Sequence, residues 1–122
     1  MWAVRQRILL VSYDPVLTPT RKLVLERGGY AVTAAEALPD ALETVKAGHF
    51  DLAVVGHSIP HTHKLAVIME IKNHHPVPTI VLLRHGERPV PEATRSVEPR
   101  PETLLETVHS LLGTGPDSAA GN

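Results

Sequence analysis

Phe50-Asp51-Leu52-Ala53-Val54-Val55-Gly56-His57-Ser58-Ile59-Pro60 is the stretch on which the fold turns. Leu52 to Val55 is an unbroken apolar run, bounded by Gly48 on one side and by Gly56 to Pro60 on the other. It is too short for a helix and rich in valine, so it reads as a strand buried on both faces. Helical patterns flank it on each side, which makes it the central strand of a parallel sheet. In an open parallel sheet, ligands gather at the carboxyl ends of the strands. The residue at that end is Gly56, which brings no side-chain chemistry.

Upstream, Arg7-Ile8-Leu9-Leu10-Val11-Ser12-Tyr13-Asp14 is a second apolar run that ends in polar residues and reads as a buried first strand. A helix could open at Asp14-Pro15 or at Thr18-Pro19. Pro19 inside a helix begun at Pro15 would remove an early backbone hydrogen bond, so the expected start is Thr18, with 15–18 as an irregular loop. Leu23 and Val24 mark its apolar side, and Gly28-Gly29 stops it. Residues 30–35 read as a second strand. Leu38, Ala41, Leu42 and Val45 recur at helical spacing and end at Gly48.

Downstream, Leu65, Ile68, Met69 and Lys72 give a third helical stripe, closed by His74-His75-Pro76. Thr79 to Leu83 is a further strand, and His85 to Pro91, with one Gly and two Pro, is a loop. Thr94 to Val97 reads as a short polar edge strand. Leu104, Leu105, Val108, Leu111 and Leu112 form a final helix between Pro101 and Gly113. The order βαβαβαβ, loop, βα predicts an α/β fold, a doubly wound parallel sheet of five strands. One domain spans 1–112. Residues 113–122 lack large apolar side chains and read as a disordered tail.

Composition bounds the function. The chain has 122 residues, a formal net charge of −1, 43% hydrophobic and 20% charged residues, and no cysteine. That balance gives no bulk basic character for nucleic acid or an anionic membrane. There is no thiolate metal site and no disulfide framework, which fits a reducing compartment, and the expectation is a cytoplasmic protein. No apolar run approaches the ~18 residues of a membrane span.

The ordered pieces together resemble the receiver domain of bacterial two-component response regulators. They are Ile8-Leu9-Leu10-Val11 with Asp14-Pro15, Glu26-Arg27-Gly28-Gly29-Tyr30-Ala31-Val32, Asp51 to Val55 with Pro60, Pro78 to Leu82, and Pro99 with Pro101-Glu102-Thr103-Leu104-Leu105. The resemblance implies a flavodoxin-like sheet of order 2-1-3-4-5. It also implies phosphoryl transfer to an aspartate at the end of the third strand. An acidic pair after the first strand would hold Mg²⁺, with a Thr or Ser after the fourth strand and a Lys after the fifth to contact the phosphoryl group.

Those positions fall on Ser12 and Tyr13, Gly56, Leu83 and Glu98. Glycine has nothing to phosphorylate, leucine cannot donate a hydrogen bond, and glutamate repels phosphate. The expectation is therefore a degenerate receiver. It is not an enzyme and needs no cofactor, and it docks a signalling protein (a histidine kinase, a response regulator or an output protein) or a second copy of itself.

Neighbouring residues offer rival readings. Asp14 reads as a cap or turn residue rather than a metal ligand. His57 should point away from Gly56 if strand geometry persists past it. Ser12 and Ser58 have no evident base. The alternative function is a metal or pH sensor built on His57, His61 and His63, since imidazole nitrogens bind Zn²⁺, Cu²⁺ or Ni²⁺. His74 and His75 read as helix-end residues, and His49 and His109 as surface.

Two expectations concern the fourth strand. From Leu83 to Glu98 there is too little chain for a helix, so the helix that receivers carry there should be lost or reduced to one turn. Its loss should bare Ile80, Val81 and Leu82 as an interaction surface, with Arg84 and Arg95 at its rim. Arg84 and Glu98, at the ends of neighbouring strands, should pair.

Overall fold

The computed structural model describes residues 5–113. Nine elements alternate along the chain: β1 (Arg7–Val11), α1 (Leu17–Arg27), β2 (Ala31–Ala35), α2 (Leu38–Ala47), β3 (Leu52–Val55), α3 (His61–His74), β4 (Thr79–Leu82), β5 (Arg95–Val97) and α4 (Pro101–Leu112). The five strands are all parallel and run in the order β2-β1-β3-β4-β5. The proposed tail, residues 113–122, lies outside the described residues except for Gly113.

The strand pleat divides the core into two layers. Leu9 and Val11, Ala53 and Val55, and Val81 with Leu83 share one layer with Ala41, Val45, Val67, Ile68 and Ile71 of α2 and α3. Ile8 and Leu10, Leu52 and Val54, and Ile80 with Leu82 share the other with Leu25, Leu104 and Val108 of α1 and α4. The register Leu9↔Ala53, Val54↔Ile80 keeps like-facing residues side by side. Both faces of β1, β3 and β4 are therefore covered, which is why their sequences are continuous apolar runs rather than alternating ones.

Helix ends follow local chemistry. Helix α1 begins at Leu17, one residue earlier than the sequence suggested, because Asp14 Oδ1 accepts the backbone N–H groups of Val16 (2.8 Å) and Leu17 (3.1 Å). Pro19 then falls in the first turn, where helical N–H groups have no intrahelical partner to lose. Helix α2 ends on Gly48 in the left-handed region (φ 70°), where a side chain would be strained.

Among the described residues no helix lies between β4 and β5, so the expected fourth helix of a receiver is absent. The predicted bare surface is not. Ile80, Val81 and Leu82 are fully buried. Helix α4 covers Ile80 and Leu82 from one side. On the other, the β4–β5 loop folds down, and its Val90 and Ala93 join Val81 and Leu83 in the core. Only Arg84 and Arg95 of the proposed surface stand exposed. The apolar-patch argument for a homodimer through this side is thereby removed.

The Arg84–Glu98 pair does not form. Glu98 meets Arg100 at 3.1 Å, and Arg84 engages Glu87 through its backbone. The register Leu82↔Val97 puts Glu98 opposite Leu83, so alternation turns the next residue, Arg84, the other way. Leu23 and Met69, read as inward-facing, are 47% and 46% exposed. Among the described residues no helix is long and apolar enough to cross a membrane.

Candidate functional site

The carboxyl ends of β1 and β3 meet at Ser12 and Gly56. Ser12 N donates to Ala35 O (3.0 Å) and Gly56 N to Val11 O (2.8 Å), which extends the sheet by one residue at this end. Over it lies the first half of α1. Thr18 Oγ1 stands 2.7 Å from both Ser12 Oγ and the Asp14 carbonyl, so its single proton chooses between them. Arg21, one turn on, extends back over the strand ends and is only 7% exposed. Its Nη2 donates to His57 Nδ1 at 2.8 Å, and its Nη1 makes a longer contact of 3.5 Å with Ser12 Oγ.

Arg21 fills the space over Gly56. A Cβ placed on Gly56 would stand 3.0 Å from Arg21 Nη1, 3.3 Å from Val11 O and 3.5 Å from Ser12 Oγ. Gly56 does not have a positive φ, so nothing in its backbone demands glycine. What presses on this position is a guanidinium. The acidic residue that β3 does carry, Asp51, sits at the opposite end of the strand, where its Oδ2 accepts Arg7 N at 2.8 Å.

His57 reverses an expectation. The chain turns immediately after Gly56, so His57 swings back onto Arg21 instead of pointing to the far face. Burial lowers its pKa from the ordinary 6.5, and Arg21, Arg84 and Lys64 add to that, against the opposing pull of Asp14. The imidazole is thus held neutral, which lets Nδ1 accept from the guanidinium. Burial likewise pushes Arg21 below its usual value, opposed by Asp14. Asp14 itself is held low, first by the N–H groups of Val16 and Leu17.

The other positions scatter. Tyr13 turns to α3, where its hydroxyl bonds His63 Nδ1 (3.0 Å) with the rings edge to face, and burial raises its pKa. Leu83 is a core residue, and Glu98 is exposed on Arg100. Thus Ser12 and Gly56 are brought together, while Tyr13, Leu83 and Glu98 are each drawn elsewhere.

The histidine metal site does not assemble. His57 is committed to Arg21 and His63 to Tyr13, while His61 opens α3 exposed. Among the described residues no three His, Cys, Asp or Glu side chains are placed to hold a metal ion. Of the remaining histidines, His75 bonds Phe50 O (2.9 Å) and His74 meets Glu70 at 3.3 Å, as helix-end residues. His109, read as surface, is instead part-buried against the Tyr30 hydroxyl.

Sequence reasoning missed Arg21, Thr18, Lys64 and Glu87. Lys64 is 1% exposed, and its Nζ pairs with Glu87 Oε2 at 2.9 Å. A signal did exist. Thr18, Arg21 and Leu25 are spaced three and four apart, as are Lys64, Val67, Ile68 and Ile71, so each cation stands in a buried stripe.

No model of a known protein family matches the chain. It is 31% identical over 80 residues to the transcriptional regulatory protein CseB of Streptomyces avermitilis, and equally to that of Streptomyces coelicolor. That match takes in 66% of this chain and 34% of the relative, so the chain spans about a third of the length of the curated relatives it matches. Among solved structures, response regulator protein TrrA of Thermotoga maritima superposes with a TM-score of 0.76 at 26% identity, over 87% of this chain and 98% of that one. A receiver domain protein of Methanospirillum hungatei gives 0.76 at 21% identity, over 98% and 100%. The chain folds as a response-regulator receiver domain. The strand order β2-β1-β3-β4-β5 and the two helical layers are in place, with four helices around the sheet among the described residues.

The receiver fold implies Mg²⁺ at this end of the sheet, and the residues present do not fit it. Mg²⁺ needs carboxylate oxygens in near-octahedral array. Ser12 and Tyr13 offer none, and the Asp14 oxygen that is placed here already caps α1. A buried guanidinium over Gly56 adds repulsion.

Proposed function

We propose that this receiver domain lacks a phosphoacceptor and acts as a phosphorylation-independent docking module in two-component signal transduction. The observation that carries the reading is the position of Arg21, whose buried guanidinium lies over Gly56 where a receiver would need a carboxylate and a metal. Phosphoryl transfer requires a nucleophilic oxygen and cations placed around the equatorial oxygens of the phosphoryl group. Ser12 and Thr18 carry hydroxyls, but they are bonded to each other, and no base accompanies them. The neutral His57 already accepts from Arg21. Such a module works through its surface: it binds a histidine kinase, another response regulator, an output protein or its own copy, and performs no catalysis.

TrrA was solved in complex with Mg²⁺-BeF, which defines the test. Amide spectra of this protein are recorded while Mg²⁺, and then beryllium fluoride, is added to millimolar levels. The expected result is that Ser12, Gly56 and His57 do not shift beyond what the same concentration of salt produces. Saturable shifts centred on Gly56 would show a working phosphoryl site and sink the reading.

A further inference from the structure

The segment that replaces the missing helix is held by few contacts, and one of them is unusual. Residues 84–89 are all exposed, and the chain is anchored again only at Val90, whose N donates to Ser96 Oγ at 2.9 Å. Gly86 has φ +82°, and Pro89 and Pro91 remove two N–H donors. No strand ladder or helix therefore stabilises this stretch.

Its remaining tether is Glu87. One carboxylate oxygen accepts Lys64 Nζ (2.9 Å) and the other accepts Arg84 N (2.8 Å), while Glu87 N closes a turn onto Arg84 O (3.0 Å). The two ends of the ion pair differ in environment. Lys64 is 1% exposed at the start of α3, whereas the Glu87 side chain is 34% exposed. Lys64 is therefore a buried ammonium whose only contacting carboxylate among the described residues is carried by a weakly held loop. Leaving a buried charge unpaired is costly, so the pair favours the closed loop strongly. In the core layer under this segment, Val81 and Leu83 cluster with its Val90, and Ala93 packs against them.

We propose that residues 84–90 form a strap, latched by the Lys64–Glu87 pair, whose release uncovers Val81, Leu83 and the Lys64 ammonium at the end of β4. The uncovered face would join apolar side chains to a cation at their edge. It fits a partner segment that brings a carboxylate to replace Glu87 and apolar side chains to replace Val90. The purpose of opening rests on the docking reading. The latch does not, since it concerns this chain alone, and its test uses no partner and no phosphodonor.

The test is hydrogen exchange by mass spectrometry on the whole chain, with trypsin as a second probe. Trypsin can cut the strap after Arg84, whereas the Arg88-Pro89 bond resists it. Glu87→Ala should speed exchange of the bonded strap amides, those of Arg84, Glu87 and Val90, and cleavage at Arg84 about tenfold or more, and leave the 52–55 amides of β3 at their wild-type rate. Should that variant fail to fold around an unpaired ammonium, Lys64→Met removes the charge itself and should loosen the same amides. Unchanged strap exchange in a folded variant would overturn the latch. So would equal acceleration in the strap and β3, since that reports global loosening.

Discussion

At the residue scale the question is what Gly56 is for. Its backbone does not require glycine, and its neighbour is the tip of a long side chain. A buried guanidinium without a counter-charge is costly, and Arg21, 7% exposed and bonded only to neutral groups, has no carboxylate within ion-pair distance among the described residues. Gly56→Asp places a carboxylate where Arg21 Nη1 already stands. The two should pair, with Arg21 and the Val11 carbonyl each giving by a few tenths of an ångström to admit the Cβ, a cost that Gly56→Asn shares. Gly56→Asn has nearly the same shape without the charge. The aspartate variant should therefore be the more stable of the two at pH 7, by about 1–3 kcal/mol, typical of a charge-assisted hydrogen bond. That is a melting-temperature gap of roughly 5–15 °C for a domain of this size. Adding Arg21→Met to both should close the gap. An aspartate variant that melts below the asparagine one would mean that Arg21 does not occupy the site.

At the element scale the sheet was legible and the buried cations were not. The runs Ile8–Val11, Leu52–Val55 and Thr79–Leu82 announce strands covered on both faces, and Gly48 and Gly113 mark helix ends by their left-handed backbone. The loss of the fourth helix could be read from Gly86, Pro89 and Pro91, because those residues forbid a helix whatever surrounds them. What closed the gap could not be read, because it depends on Val90 packing onto residues far away in the chain. Arg21 and Lys64 escaped notice for a related reason. Charged residues are expected outside, and only tertiary contacts at Ser12, His57 and Glu87 show them turned in.

Covering of β4 by the loop makes its own prediction. Val81 is fully buried in the layer that holds α3 residues and Val90 of the strap, so Val81→Asp buries a carboxylate among apolar side chains. The loss should be several kcal/mol, enough to abolish cooperative thermal unfolding in a small domain. If β4 were instead a bare docking face, the variant would melt like wild type and only its association would change. Circular dichroism during heating separates the two.

At the scale of the whole molecule, we propose a receiver fold that works without phosphoryl chemistry at its switch point. The α1 cation lies over the end of β3, the α3 cation holds the β4–β5 strap, and a neutral imidazole links the first of them to the turn after Gly56. Docking surfaces on the sheet's helices do not require a phosphoryl group, so the fold can serve signalling without it. The central claim is that this end of the sheet neither accepts nor holds a phosphoryl group. Intact-mass spectrometry after incubation with Mg²⁺ and a small-molecule phosphodonor tests it most directly. The account predicts an unchanged mass at times when an active receiver, run alongside, is fully modified. A stoichiometric phosphoryl adduct on this chain, mapped to the ends of β1 or β3, would contradict it.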